Sequence, residues 1–125
     1  SKKILNKVNR ESEKIQKIQR GMIQVNITEN PNQFGASLDK TEEMLNYAKE
    51  LKNINIIGLM AIGENSTNSE KKLKTFKKIQ SLFIELNDKN HGLEEISIGM
   101  SGDYIEALKC GSTMIRIGTN LYGQR

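Results

Sequence analysis

The chain has 125 residues, 36% of them hydrophobic and 27% charged, with a net charge of +4 carried mainly by lysine. That length suits one domain with one core, and no apolar run approaches the roughly 18 residues of a membrane helix, so no membrane partner is expected. One cysteine, Cys110, leaves no internal disulfide, which makes a reducing cytoplasm the expected compartment.

In chain order, residues 2–19 read as a helix, with Ile4, Val8, Ile15 and Ile18 at helical spacing and Gly21 ending it. Residues 22–27 read as a strand: Ile23, Val25 and Ile27 take one face, Gln24 and Asn26 the other. A loop over 29–35 holds the only proline, Pro31. Asp39 with Glu42 resembles a capping box for a helix over about 40–52. Residues 54–62 form a second strand, interrupted by Gly58. Ser69 is placed to cap a helix of about 18 residues whose stripe is Leu73, Phe76, Ile79, Leu82, Phe83 and Leu86. Residues 95–100 are a third strand, 102–109 a short helix and 113–119 a fourth strand.

Strands separated by crossover helices imply a parallel sheet. Four such units fit a small doubly wound sheet or half of a (β/α)₈ barrel. The polar faces at Gln24–Asn26 and at Arg116 favour the barrel, whose strands can turn polar groups inward near one end, over an open sheet buried on both sides. The expected fold class is therefore α/β, four parallel strands with crossover helices.

The charge points away from nucleic acid. Lys71, Lys72, Lys74, Lys77 and Lys78 spread along one helical stretch, and aromatics make up 5% of the chain with none interleaved among them. Nucleic-acid binding wants a concentrated patch with stacking rings. A solvated helix face is the reading.

Two segments carry donor-rich chemistry at strand ends, Ser97-Ile98-Gly99-Met100-Ser101-Gly102-Asp103 and Ser112-Thr113-Met114-Ile115-Arg116-Ile117-Gly118-Thr119. Ser101 and Gly102 lie where a helix is expected to begin, a position that favours a phosphate. Gly118 permits close backbone approach and Thr119 adds a hydroxyl. Two adjacent strand ends of this kind resemble the phosphate site of the last two strands of a (β/α)₈ barrel. The same residues also read as an ordinary helix cap and a strand-ending turn. His91, Cys110 and Asp103 are weaker candidates, read as a loop residue, a packed thiol and a helix cap. No metal site and no catalytic residue are expected.

The stretch ISIGMSGDYIEALKCGSTMIRIGTNLYG, with GLMAIGEN and QVNI before it, resembles the C-terminal signature of the YggS-like pyridoxal 5′-phosphate (PLP) homeostasis proteins. The resemblance implies a TIM-type (β/α)₈ barrel related to the N-terminal domain of alanine racemase, with PLP at its mouth. It implies that Ser101, Gly118 and Thr119 hold the phosphate, that Gly102 adds backbone and that Arg116 faces the pyridine nitrogen. It places Met60 near the ring and Asn26 at the mouth. It further implies that residues 1–125 are a single partial domain, the second half of the barrel, without the first four strands and the Schiff-base lysine of the first. Gln33 stands where many relatives carry a basic residue. The expected function is a non-catalytic PLP carrier in vitamin B6 homeostasis, with another chain or copy completing the barrel. The alternatives are half of a PLP-dependent amino-acid racemase and a purely structural half-barrel.

Overall fold

The computed structural model describes residues 1–123; the end of the expected final helix, at Arg125, lies outside them. Helix α1, Lys2–Lys14, opens with the Ser1 hydroxyl accepting the Ile4 N–H at 3.4 Å. It ends earlier than its apolar spacing suggests, because Gln16 enters the left-handed region at φ 54°. The chain is thereby freed to start strand β1 at Gln19, and β1 runs Gln19–Gln24 with Gly21 inside it instead of at the helix end.

A single 3₁₀ turn, Leu38–Lys40, leads into α2, Thr41–Lys49. The capping box does not form: no side chain caps α2, and Glu42 bonds to Lys89 at 3.0 Å instead. Strand β2, Ile54–Met60, pairs in parallel with β1, from Gln19 opposite Ile54 to Gln24 opposite Met60, with an irregularity between Gly21 and Met22. Helix α3, Ser69–Asp88, is capped by Asn68, whose Oδ1 accepts the Lys71 N–H at 3.0 Å. Strand β3, Glu95–Ser97, pairs in parallel with β2, and helix α4 spans Tyr104–Lys109. A four-residue helix, α5, covers Thr119–Tyr122.

Among the described residues the sheet therefore has three parallel strands in the order β1-β2-β3, not the four expected. Residues 113–117 do run beside β3, but only as a single parallel bridge between Ser97 and Met114. The reason is chemical. The Thr113 hydroxyl accepts the Ile96 N–H at 2.8 Å, taking the place a backbone carbonyl would hold in a ladder. It donates in turn to Glu95 Oε2 at 2.6 Å, while the Ser112 hydroxyl donates to the Ile98 carbonyl at 2.6 Å. Side chains occupy the edge, so regular pairing stops.

One face of the sheet carries Ile23, Leu59 and Ile96, continued past the strand ends by Val25, Ala61 and Ile98. It packs on Leu45 of α2, Phe76, Ile79 and Leu86 of α3 and Ala107 of α4, all in one buried core. The other face carries Gln24, Met60 and Ser97. A side chain at Gly58 would place its Cβ 2.1 Å from the Glu95 carbonyl oxygen, so glycine is what lets β2 and β3 close together.

Candidate cofactor-binding site

The carboxyl ends of the strands are stitched across by backbone hydrogen bonds: Val25 N–H to Met60 O at 2.8 Å, Ala61 N–H to Ser97 O at 3.1 Å and Arg116 N–H to Gly99 O at 2.9 Å. Every residue singled out in the sequence for cofactor binding sits at this end of the sheet.

The first element is a tight turn over residues 100–103. The Asp103 N–H donates to Met100 O at 3.2 Å, and the Met100 N–H donates to Asp103 Oδ1 at 2.8 Å. Gly99 enters the turn at φ 104°, where a Cβ would meet the Ala107 Cβ at 2.7 Å. Ser101 and Gly102 occupy the centre of this turn. The helix behind it begins at Tyr104, two residues later than expected, with Asp103 at its N-cap position and no side-chain cap bond. The Asp103 carboxylate closes the turn instead of capping the helix. Ser101 and Gly102 thus belong to the turn and not to a helix terminus.

The second element is Arg116. Its Nη2 donates to the Ala61 carbonyl at 2.8 Å, reaching past β3 to the end of β2. Its Nε is buried and has no hydrogen-bond partner among the described residues. A guanidinium stays protonated, and a buried donor left unpaired costs about 1–3 kcal/mol. A ring acceptor such as a pyridine nitrogen is what this donor lacks, so the residues present fit the cofactor.

The third element is Gly118, at the start of α5, with open space where a Cβ would lie, followed by the exposed Thr119. Met60 is half-buried at the end of β2. Asn26 follows β1, and its side chain is engaged by the loop behind it. Oδ1 accepts the Thr28 N–H at 3.0 Å and the Thr28 hydroxyl at 2.9 Å, and Nδ2 donates to Asn30 O at 2.9 Å. Lys72 was not singled out in the sequence, being one lysine among several on α3, yet its Nζ donates to Gly102 O at 2.8 Å.

Of the weaker candidates, Asp103 closes the 100–103 turn, and His91 and Cys110 lie elsewhere. His91 precedes β3, at the opposite end of the sheet, with Nε2 3.3 Å from Glu42 Oε1. Cys110 is buried, and that burial pushes its thiol up from the ordinary value. Among the described residues no group of three or more His, Cys, Asp or Glu side chains could hold a metal ion, and no helix is long and apolar enough to cross a membrane.

A parallel α/β unit with its polar residues at the carboxyl ends of the strands is the class that fold and site define. The model of the alanine racemase N-terminal domain matches residues 1–125, and the chain belongs to that family. A pyridoxal phosphate homeostasis protein of Synechocystis is 35% identical over 120 residues, which is 95% of this chain and 55% of that protein. One from Haemophilus influenzae is 38% identical over 109 residues, 83% of this chain and 45% of that protein. PipY of Synechococcus elongatus, solved with PLP bound, is 26% identical with a TM-score of 0.80, covering 92% of this chain and 54% of that one. The chain spans about half the length of the curated relatives it matches.

Proposed function

We propose that this chain supplies the phosphate cup and the ring-nitrogen contact of a PLP site, in a cytoplasmic protein that binds and passes on the cofactor without turning over a substrate. The observation that carries the reading is Arg116, anchored on Ala61 through Nη2 and with a buried Nε unspent. Ser101, Gly102, Gly118 and Thr119 hold the phosphate, Arg116 faces the pyridine nitrogen, Met60 lies beside the ring and Asn26 orders the loop at the mouth. PLP, when bound, supplies an aldehyde conjugated to an electron-withdrawing ring. A permanently protonated guanidinium keeps the ring nitrogen unprotonated and weakens that electron sink, which suits carriage better than carbanion chemistry. The names of the relatives from Synechocystis and Haemophilus influenzae support the same reading.

Met114 is 44% and Ile115 36% exposed at one side of the sheet. At the other, a groove of about 960 Å³ lined by Ile4, Met22 and Phe34 opens beside β1. These surfaces suit the remaining strands of an eight-stranded barrel, supplied by the same polypeptide, a second copy or another chain. The racemase alternative requires a further base from outside this chain, and a racemisation assay separates it from carriage.

Equilibrium dialysis with PLP tests the main reading. Loss of one charged donor corresponds to about 1.5–3 kcal/mol, or roughly 10- to 100-fold in affinity, so Arg116→Ala binds PLP more weakly by that factor. Equal affinity of Arg116→Ala and the unsubstituted chain, or no binding by either, contradicts it.

A further inference from the structure

The turn that carries Ser101 and Gly102 is restrained unevenly. On its inner side the Asp103 carboxylate and carbonyl of Met100 close it. Gly63 lies beneath, where a Cβ would come 2.9 Å from Asp103 Oδ2. On its outer side the place a Gly102 Cβ would occupy is open, with no described atom beyond its chain neighbours within 4 Å. A glycine peptide in open space turns over at little cost. If the Gly102 carbonyl swung into the cup, its partial negative charge would oppose an anion there.

Among the described residues the side chain bonded to that carbonyl is Lys72, at 2.8 Å from one turn inside α3. Lys71, Lys74 and Lys77 are exposed, whereas Lys72 is half-buried beside the 100–103 turn; Lys78, also half-buried, reaches the Ile27 carbonyl at 3.4 Å instead. The charged group facing it from α4 is Glu106. That carboxyl is held below the usual range chiefly by its own backbone N–H, then by the Ser69 hydroxyl, with the charges of Lys72 and Lys109 adding to the effect. Lys72 is therefore not the main partner of Glu106, and its hydrogen bond goes to the turn.

We infer that Lys72 is a positioning residue for the phosphate cup: its ammonium holds the Gly102 carbonyl out of the cup against α3, and so sets the preference for phosphorylated over unphosphorylated pyridoxal. The inference rests on the phosphate-cup reading proposed above. The ammonium both fixes the peptide and leaves a full positive charge behind the turn, and both effects favour an anion. Neither acts on the ring, which Arg116 contacts.

The test is equilibrium dialysis of the whole chain, of Lys72→Met and of Lys72→Arg, each with PLP and with pyridoxal, alongside their urea unfolding midpoints. The expected result is a loss of about 10-fold in PLP affinity for Lys72→Met, the scale of one charge-assisted hydrogen bond. Pyridoxal affinity stays within about 2-fold, and Lys72→Arg regains most of the PLP affinity. Should Lys72→Met shift the unfolding midpoint, Lys72→Gln carries the same comparison. Unchanged PLP affinity in Lys72→Met overturns the inference, as does an equal loss toward both ligands. If the unsubstituted chain itself does not distinguish PLP from pyridoxal, the cup reading falls first and the inference with it.

Discussion

Arg116 Nη2 donates to the Ala61 carbonyl at 2.8 Å, and that one bond ties the bridging segment after α4 to the end of β2, past the intervening β3. It orients the guanidinium so that Nε stays inside and unpaired among the described residues. Arg116→Lys keeps the charge but not the planar fork. It is expected to bind PLP no better than Arg116→Ala, within about 3-fold on the scale of a single neutral hydrogen bond. Recovery of full affinity by lysine would show that charge alone suffices.

Thr113 substitutes its hydroxyl for a backbone partner of β3. Thr113→Val keeps the shape and removes that acceptor, leaving the N–H of buried Ile96 unpaired. The expected cost is about 1–3 kcal/mol in unfolding free energy. Faster amide exchange at Ile96 would locate the loss; an unchanged urea midpoint contradicts the assignment.

Gly58 allows β2 and β3 to approach, since a Cβ there would lie 2.1 Å from the Glu95 oxygen. Gly58→Ala forces the strands apart and is expected to destabilise the chain by about 1–3 kcal/mol. The same substitution at Gly118, in open space, is expected to leave the unfolding free energy within about 0.5 kcal/mol of the original. Similar midpoints for the two variants would contradict the packing described.

Glu42 accepts a hydrogen bond from Lys89 at 3.0 Å and lies 3.3 Å from His91, whose imidazole is only 4% exposed. The Lys89 hydrogen bond first, then that of His91, holds the Glu42 carboxyl below the usual range; Glu42 in turn raises the Lys89 ammonium. A lowered carboxyl gives stability that is present above its unfolded pKa and is lost as pH falls through its folded pKa. A raised ammonium gives stability that is present below its unfolded pKa and is lost as pH rises through its folded one. The cluster is solvent-screened, so its effect is small. Glu42→Gln is expected to lower the urea midpoint at neutral pH and to match the original chain once the carboxyl is protonated. A gap that persists in acid contradicts the electrostatic origin.

Much of the fold was legible because its signals were local. Alternating Ile23, Val25 and Ile27 marked a strand, although β1 lies about three residues earlier, at Gln19–Gln24, and the stripe from Leu73 to Leu86 marked α3. The placement of Ser101, Arg116 and Gly118 at one end of the sheet followed from the order of the elements. The failures have particular causes. The end of α1 turns on Gln16 adopting a left-handed conformation, which a non-glycine residue does not announce. Asn68 caps α3 where adjacent Ser69 had the same capacity. The fourth strand reads as β-forming, yet Ser112 and Thr113 spend their hydroxyls on the edge of β3. Lys72 could not be told from Lys71 or Lys74 until the turn over residues 100–103 was seen to pack beside it.

One end of this sheet is proposed to hold PLP by its phosphate and its ring nitrogen. The most direct measurement is a ¹H–¹⁵N correlation spectrum of the labelled chain titrated with PLP, which reports backbone amides and the arginine Nε–H together. The amides of Ser101, Gly102, Gly118 and Thr119 and the Nε–H of Arg116 are expected to shift in concert and saturate at one ligand concentration. Shifts confined to other residues, with Arg116 Nε–H and the Gly102 and Gly118 amides unmoved, would contradict it.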